Sequence, residues 1–130
     1  MTEDELIKMR AIIKYALIRI GFRPNLVGFK YLCYAIELVI LEPELMHGLC
    51  KGLYVKVGEK FKVKGSVERN IRHAIDFTFD TKGFMELNKF FNAELYTIND
   101  KPTCGELIKL MAEFYNLSLY KHLDAFKHIA

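Results

Sequence analysis

The chain has 130 residues, of which 52% are apolar, and a formal net charge of +3. This length suits one domain with a real core, and the apolar fraction is too high for a disordered chain. The longest apolar runs are short: residues 38–41, for example, are bounded by Glu37 and Glu42. Such runs are far below the roughly 18–20 residues that cross a bilayer.

The N-terminus and the cysteines indicate where the protein works. The chain begins with the acidic stretch Glu3-Asp4-Glu5, where a secretory signal would be basic, and no signal-type apolar run follows. Three widely spaced cysteines are not a disulfide framework and fit a reducing compartment. We therefore expect a cytoplasmic protein with cysteines that act as small buried residues, namely Cys33, Cys50 and Cys104.

The first half of the chain predicts helices throughout. Thr2 and Glu5 have the spacing of a capping box, apolar residues then recur at helical intervals, and Gly21 ends the run. A second helix at about 26–41 is apolar on most sides, so we expect it to be central and buried. Residues 44–61 have a helical pattern but contain three glycines, each of which costs about 1 kcal/mol relative to alanine, and this favours two shorter helices.

The second half continues the helical pattern. Thr103 and Glu106 have a second capping-box spacing, and strand-like alternation is almost absent. We therefore predict an all-α fold with six or seven helices, in one domain over residues 1–130 with a C-terminal extension at about 118–130. The predicted helices of this half lie near 66–80, 84–92 and 103–117.

Positive charge is concentrated in one band. Residues 51–73 contain seven Lys or Arg and two acidic residues, so this stretch carries +5 and the remainder of the chain −2. Such a band on a near-neutral protein predicts one surface that faces a polyanion. A helix at about 53–61, a short Gly-containing connection and helix 66–80 have the order of a helix-turn-helix, which we place at about 53–80. The lysines that we expect to hold DNA phosphates are Lys56, Lys60, Lys62 and Lys64.

Helix 66–80 has its apolar and polar residues on opposite sides when successive residues are placed roughly 100° apart around the helix axis. Arg can pair with guanine, Glu can accept from the cytosine amino group, and a helix in the major groove uses the residues near its start. A solvated surface with an i,i+4 ion pair is the alternative interpretation of the same face. The apolar side, which should pack inward, consists of Val67, Ile71, Ala74, Ile75 and Thr78. The polar side consists of Glu68, Arg69, Arg72, His73 and Asp76.

Three segments resemble one known family. Residues 66–76, S-V-E-R-N-I-R-H-A-I-D, are similar to the recognition helix S-R-V-E-R-x-I-R-H-A-I-E of the C-terminal effector domain of the sporulation response regulator Spo0A. Residues 101–108, K-P-T-C-G-E-L-I, resemble the K-P-T-N-S-E-F-I that opens that family's last helix. Residues 20–22 and 26–32 resemble the I-G-V and I-K-G-Y-x-Y-L runs of its first two helices. Order and spacing agree over about 12–117.

The resemblance implies a six-helix DNA-binding domain of endospore-forming, Gram-positive bacteria that regulates transcription. It implies that Glu68, Arg69 and His73 approach bases, and that Arg72 lies near the DNA backbone. It further suggests copies of the protein side by side on adjacent sites, with RNA polymerase as another candidate partner.

The chain departs from the family pattern in two respects. The family has an Arg before V-E-R that contacts a guanine, whereas this chain has Ser66 at that base-facing position, and its connection after Phe61 is one residue shorter. Loss of one bidentate Arg–guanine pair removes roughly 1–3 kcal/mol of discrimination, so we expect an altered or relaxed sequence preference. The chain also has no room for the regulator's receiver domain. Met1 and a capped first helix favour a natural start over an excised domain.

The alternative function is a protein-interaction module, derived from that domain, that modulates another regulator and has lost or relaxed DNA specificity. The extension 118–130 lies outside the resemblance and is a candidate interface, although packing on the chain's own core is the simpler expectation for it. Its apolar residues are Leu119, Tyr120, Leu123, Phe126 and Ile129.

No chemistry other than binding emerges from the sequence. His47 and Cys50 have a H-x-x-C spacing but no second pair of ligands, so we expect no metal site. We find no nucleophile with a positioned base and no Gly-rich phosphate loop after a strand. We therefore expect neither an enzyme nor a cofactor.

Overall fold

A computed structural model describes residues 1–123; residues 124–130 and the side chains of Cys50 and Thr81 lie outside the description. The described residues form six α-helices, which confirms the predicted all-α fold. None of these helices is both long and apolar enough to cross a bilayer. The helices are α1 (Glu3–Ile20), α2 (Val27–Leu41), α3 (Tyr54–Phe61), α4 (Val67–Thr78), α5 (Phe84–Phe91) and α6 (Cys104–Asn116).

The two ends of α1 are set by local sequence. The hydroxyl of Thr2 accepts a hydrogen bond from the backbone N–H of Glu5 at 3.2 Å. The predicted capping box is only half formed, because the Glu5 carboxylate accepts from the Thr2 hydroxyl at 3.1 Å instead of from the Thr2 backbone. Gly21 ends the helix in the left-handed region, with φ 118°, which residues with a Cβ rarely adopt.

Helix α2 lies at the centre of the core, as predicted. Nine of its 15 residues are buried. One of them, Glu37, accepts two hydrogen bonds from the Arg10 guanidinium of α1, at 2.8 and 3.2 Å, and this pairing stabilises a carboxylate that is only 7% exposed. At Gly28, α2 approaches α4 so closely that a Cβ would overlap the backbone carbonyl of Asn70. Direct backbone contact with α2 therefore fixes the position of α4.

The connection from α2 to α3 is wound into two short turns. A 3₁₀ turn, Pro43–His47, is followed by a π-type turn, Leu49–Leu53, that leads directly into α3. Gly48 separates the two turns with φ −153° and ψ 70°, so the predicted interruption of residues 44–61 falls at this glycine. Gly58, in contrast, lies within α3.

Helix α6 begins with the capping box that its sequence predicts. The Thr103 hydroxyl accepts from the Glu106 backbone N–H at 3.1 Å, and the Thr103 backbone N–H donates to the Glu106 carboxylate at 2.9 Å. Two of the backbone donors at the start of this helix region are thereby satisfied by side chains.

The described part of the C-terminal extension packs on the chain's own core. The Tyr120 ring lies 6.3 Å from the Phe114 ring and stacks on Tyr115 at 5.6 Å, measured between centroids. Leu123 also contacts the core. Leu119, in contrast, is 38% exposed. The remaining predicted interface residues of this segment, Phe126 and Ile129, lie outside the described residues.

Candidate nucleic-acid interface

A tight turn joins α3 to α4. The backbone N–H of Val63 donates to the carbonyl of Gly58 at 2.9 Å, and a Cβ on Gly58 would lie 2.7 Å from the Val63 carbonyl oxygen. Lys62 and Gly65 reverse the chain with left-handed backbone, at φ 58° and 73°. The end of α3 is thereby held against the start of α4, in the helix-turn-helix predicted for about 53–80.

One side of helix α4 is buried in the core and the other side is exposed to solvent. The exposed groups include Arg69, Arg72 and His73, while Glu68 and Asp76 are half-exposed. Within residues 1–123, neither Arg69 nor His73 forms an ion pair with another side chain. The predicted inward stripe is confirmed in full, since the buried residues are Val67, Ile71, Ala74, Ile75 and Thr78.

Two of the candidate DNA-contacting side chains pair with each other. The Arg72 guanidinium lies 3.2 Å from the Glu68 carboxylate, one turn earlier on α4, with side chains 58% and 40% exposed. Exposed i,i+4 pairs of this kind contribute only about 0.3–0.5 kcal/mol. A nucleic acid that offered either group a better partner would separate them at little cost.

The turn contributes two lysines beside the start of α4. Lys62 and Lys64 line an open groove of about 690 Å³ between α3 and α4, together with Glu68. Both lysines are exposed. Their charges therefore lie within the turn of the helix-turn-helix, where a phosphate beside α4 would meet them.

The two lysines of α3 contact residues on the α2 side and do not line the groove beside the start of α4. The Lys56 ammonium is 3.2 Å from the carboxylate of Glu42, and the Lys60 ammonium is 5.6 Å from the centre of the Tyr34 ring. Both partners belong to α2 or to its C-terminal end. The predicted phosphate contacts thus fall into two groups, one beside α4 and one facing α2.

The family model described as sporulation initiation factor Spo0A C terminal matches residues 13–114. The chain belongs to the Spo0A C-terminal family. The match includes α2 to α5, with the whole helix-turn-helix, and most of α6. The resemblance inferred from the sequence is thereby confirmed, and this family is one of DNA-binding regulatory domains.

Ser66 is the position at which the sequence resemblance predicts a departure from the Spo0A C-terminal pattern. It immediately precedes α4 and is half-buried, and its side chain makes no capping hydrogen bond to the helix. Its carbonyl oxygen accepts from the backbone and side-chain N–H groups of Asn70, at 3.0 and 2.8 Å. A serine here extends only a short distance from the start of α4, so it reaches less far than the arginine that the resemblance implies at this position.

Sequence reasoning missed the contacts that hold the far end of α4. The Lys101 ammonium lies 3.1 Å from Asp76 and 3.0 Å from Asp80, and its hydrogen bond to Asp80, followed by that to Asp76, raises the pKa of Lys101. Near the helix start, the Cys104 thiol lies 3.9 Å from the Glu68 carbonyl. The available signal was the like-charged pair Asp76 and Asp80, the first near the end of α4 and the second in the turn Phe79–Gly83 that follows it. Two acidic residues spaced i and i+4 are destabilising without a nearby cation.

Proposed function

We propose that the chain is a sequence-specific transcription regulator of the cytoplasm that inserts α4 into the major groove of double-stranded DNA. The observation that carries this proposal is the two-sided α4 in a chain of the Spo0A C-terminal family. Its inward side is buried against α2, and its outward side presents cationic and hydrogen-bonding groups near the helix start. A helix with this arrangement is suited to reading base edges.

Three side chains of α4 are assigned to bases. Arg69 is suited to a bidentate contact with a guanine, and Glu68 to accepting from a cytosine amino group. His73, one turn further along, offers ring nitrogens to the same groove. Arg72 is assigned to a phosphate, and contact of Glu68 with a base would release Arg72 from their mutual ion pair.

Phosphate contacts set the register of the helix. Lys62 and Lys64 are the strongest candidates, because they lie in the turn beside the start of α4. Lys56 and Lys60 are assigned a weaker, outer role, since each already has a partner on the α2 side that DNA must replace. Such contacts contribute affinity without sequence information.

Sequence preference should differ from that implied by the family pattern. Ser66 occupies the position of a guanine-reading arginine, which removes one direct readout contact. We therefore propose that specificity rests on Glu68, Arg69 and His73, and that the base pair opposite Ser66 is read weakly. Adjacent copies and RNA polymerase are the proposed protein partners at a promoter.

Selection of bound duplexes from a random pool tests this function. Selection with the 130-residue chain should enrich a short DNA motif. One base pair of this motif, next to the most strongly preferred one, should show only a weak sequence preference. Binding of unselected duplex should also weaken steeply with salt, because counterions are released from the phosphates. A chain that enriches no motif and binds DNA without salt dependence would instead be the protein-interaction module, and the proposal would be wrong.

A further inference from the structure

Helix α1 has a second apolar face that remains exposed in the part of the chain that the structure describes, residues 1–123. Its inward side contributes six buried residues to the core. On the outward side, Ile7, Tyr15 and Ile18 are 56%, 52% and 38% exposed. With Ala11 between them, these residues fall within a sector of about 80° around the helix axis. A surface helix of a globular domain ordinarily has only one such face.

This outward stripe (Ile7, Ala11, Tyr15 and Ile18) is not accounted for by DNA binding. The family match begins at residue 13, so Ile7 and Ala11 lie outside it. The proposed DNA contacts lie on the turn and on α4, not on α1. The stripe therefore indicates a surface for a protein partner, separate from the proposed DNA contacts.

The charges of α1 suit one particular partner. Its first turn carries Glu3, Asp4 and Glu5, and its last turn carries Arg19. A second α1 aligned in parallel would place like charges together, whereas an antiparallel α1 places the acidic end of each helix against the basic end of the other. A two-fold axis makes each such contact twice.

We propose that two copies of this chain associate through antiparallel pairing of their α1 helices along the outward stripe. In the register centred between Ala11 and Ile12, Asp4 lies opposite Arg19 of the other copy. Lys8 then lies opposite Tyr15, a pairing of ammonium and aromatic ring. Ala11 lies near the crossing point, where a small side chain permits close approach.

The dimer is a transient one. An 18-residue helix is about 27 Å long, and one face of it covers less than the ~800 Å² per partner of a standard stable interface. We expect a dissociation constant on the order of 100 μM, as befits a contact of low area. Such a contact takes effect where two copies are held close together.

Charge reversal in two separate chains tests the pairing. Sedimentation equilibrium of the full 130-residue chain should show reversible dimers between about 10 μM and about 1 mM. Asp4→Arg and Arg19→Asp should each weaken self-association about tenfold, because each places like charges opposite one another twice. A mixture of the two variants should form a mixed dimer within about threefold of wild type, since both ion pairs are then restored.

Two further variants separate the interface from general effects. Ala11→Glu, at the crossing point, should abolish dimers, whereas Lys109→Glu on the exposed side of α6 should leave them unchanged. Circular dichroism melting establishes that each variant is folded. The proposal is overturned if the wild-type chain remains monomeric at about 1 mM, or if the mixture associates no better than either charge variant alone.

Discussion

At the level of single residues, Gly28 allows α2 to lie directly against the backbone of α4. A Cβ there would overlap the Asn70 carbonyl oxygen and lie 2.6 Å from its carbon, so one of the two helices must move. We expect Gly28→Ala to lower the free energy of unfolding by about 2–4 kcal/mol. Gly48→Ala is the matched control, because a Cβ at Gly48 meets nothing within 4 Å; its effect should stay below about 1 kcal/mol. Equal losses in urea denaturation would contradict this account of α2 and α4.

A second residue-scale prediction concerns the Cys33 thiol. Burial raises its pKa to about 12, whereas an unperturbed thiol has a pKa of about 8.5. At pH 8 the folded thiolate is therefore roughly a thousandfold scarcer than in the unfolded chain, and alkylation should slow accordingly. The neutral thiol also favours the folded state, so this contribution to stability is complete below the unfolded pKa and is lost as the pH rises toward the folded one. Peptide mapping after iodoacetamide treatment, with and without urea, measures the ratio; equal rates would contradict it.

Residue positions were predictable where they depended on helix periodicity. All five inward residues of α4 followed from the spacing of Val67 to Thr78, because the helical repeat fixes which side chains share a face. The pairing of Arg10 with Glu37 could not be foreseen. The spacing of Asp76 and Asp80 indicated a need for a nearby cation but did not identify Lys101 as that cation. These partners lie far apart in the chain and meet only after the helices have packed.

At the scale of helices, the capping box of α6 provides a direct test. Thr103→Ala removes the acceptor of the Glu106 N–H and should lower the free energy of unfolding by about 1 kcal/mol. Thr103→Ser keeps the hydroxyl and should retain most of that free energy. Chemical denaturation of the two variants measures the difference. Indistinguishable stabilities of the alanine and serine variants would mean that the cap contributes nothing.

Helix boundaries were predictable to differing degrees. The spacing of Thr103 and Glu106 predicted a capping box that is complete, whereas the same spacing at Thr2 and Glu5 gave only half of one. The two differ because the Glu5 carboxylate accepts a hydrogen bond from the Thr2 hydroxyl and not from the Thr2 backbone N–H. Residues 43–53 formed two short turns, because their conformation depends on packing against neighbouring helices as well as on local preference.

At the scale of the whole molecule, the sequence predicted more of the framework than of the contacts. The all-α class, the central α2 and the helix-turn-helix follow from apolar patterning and glycine positions. The division of the lysines could not be foreseen, because Lys56 and Lys60 meet Glu42 and Tyr34 only in the folded chain. The positive band is therefore not one uniform surface, and the lysines of the turn should outweigh those of α3 in binding DNA.

We propose that the outward side of α4 reads bases while the turn beside it holds phosphates. DNA affinity, measured over a salt series on the selected duplex and on single-base variants of it, tests this most directly. Arg69→Ala should weaken binding to the selected duplex by about 1–3 kcal/mol and relax preference at one base pair. Lys62→Ala should weaken binding to all sequences alike and reduce the salt slope by about one. The control variant Lys89→Ala, on α5, should change neither the DNA affinity nor its salt slope. Wild-type affinity, preference and salt slope in both Arg69→Ala and Lys62→Ala would contradict the account.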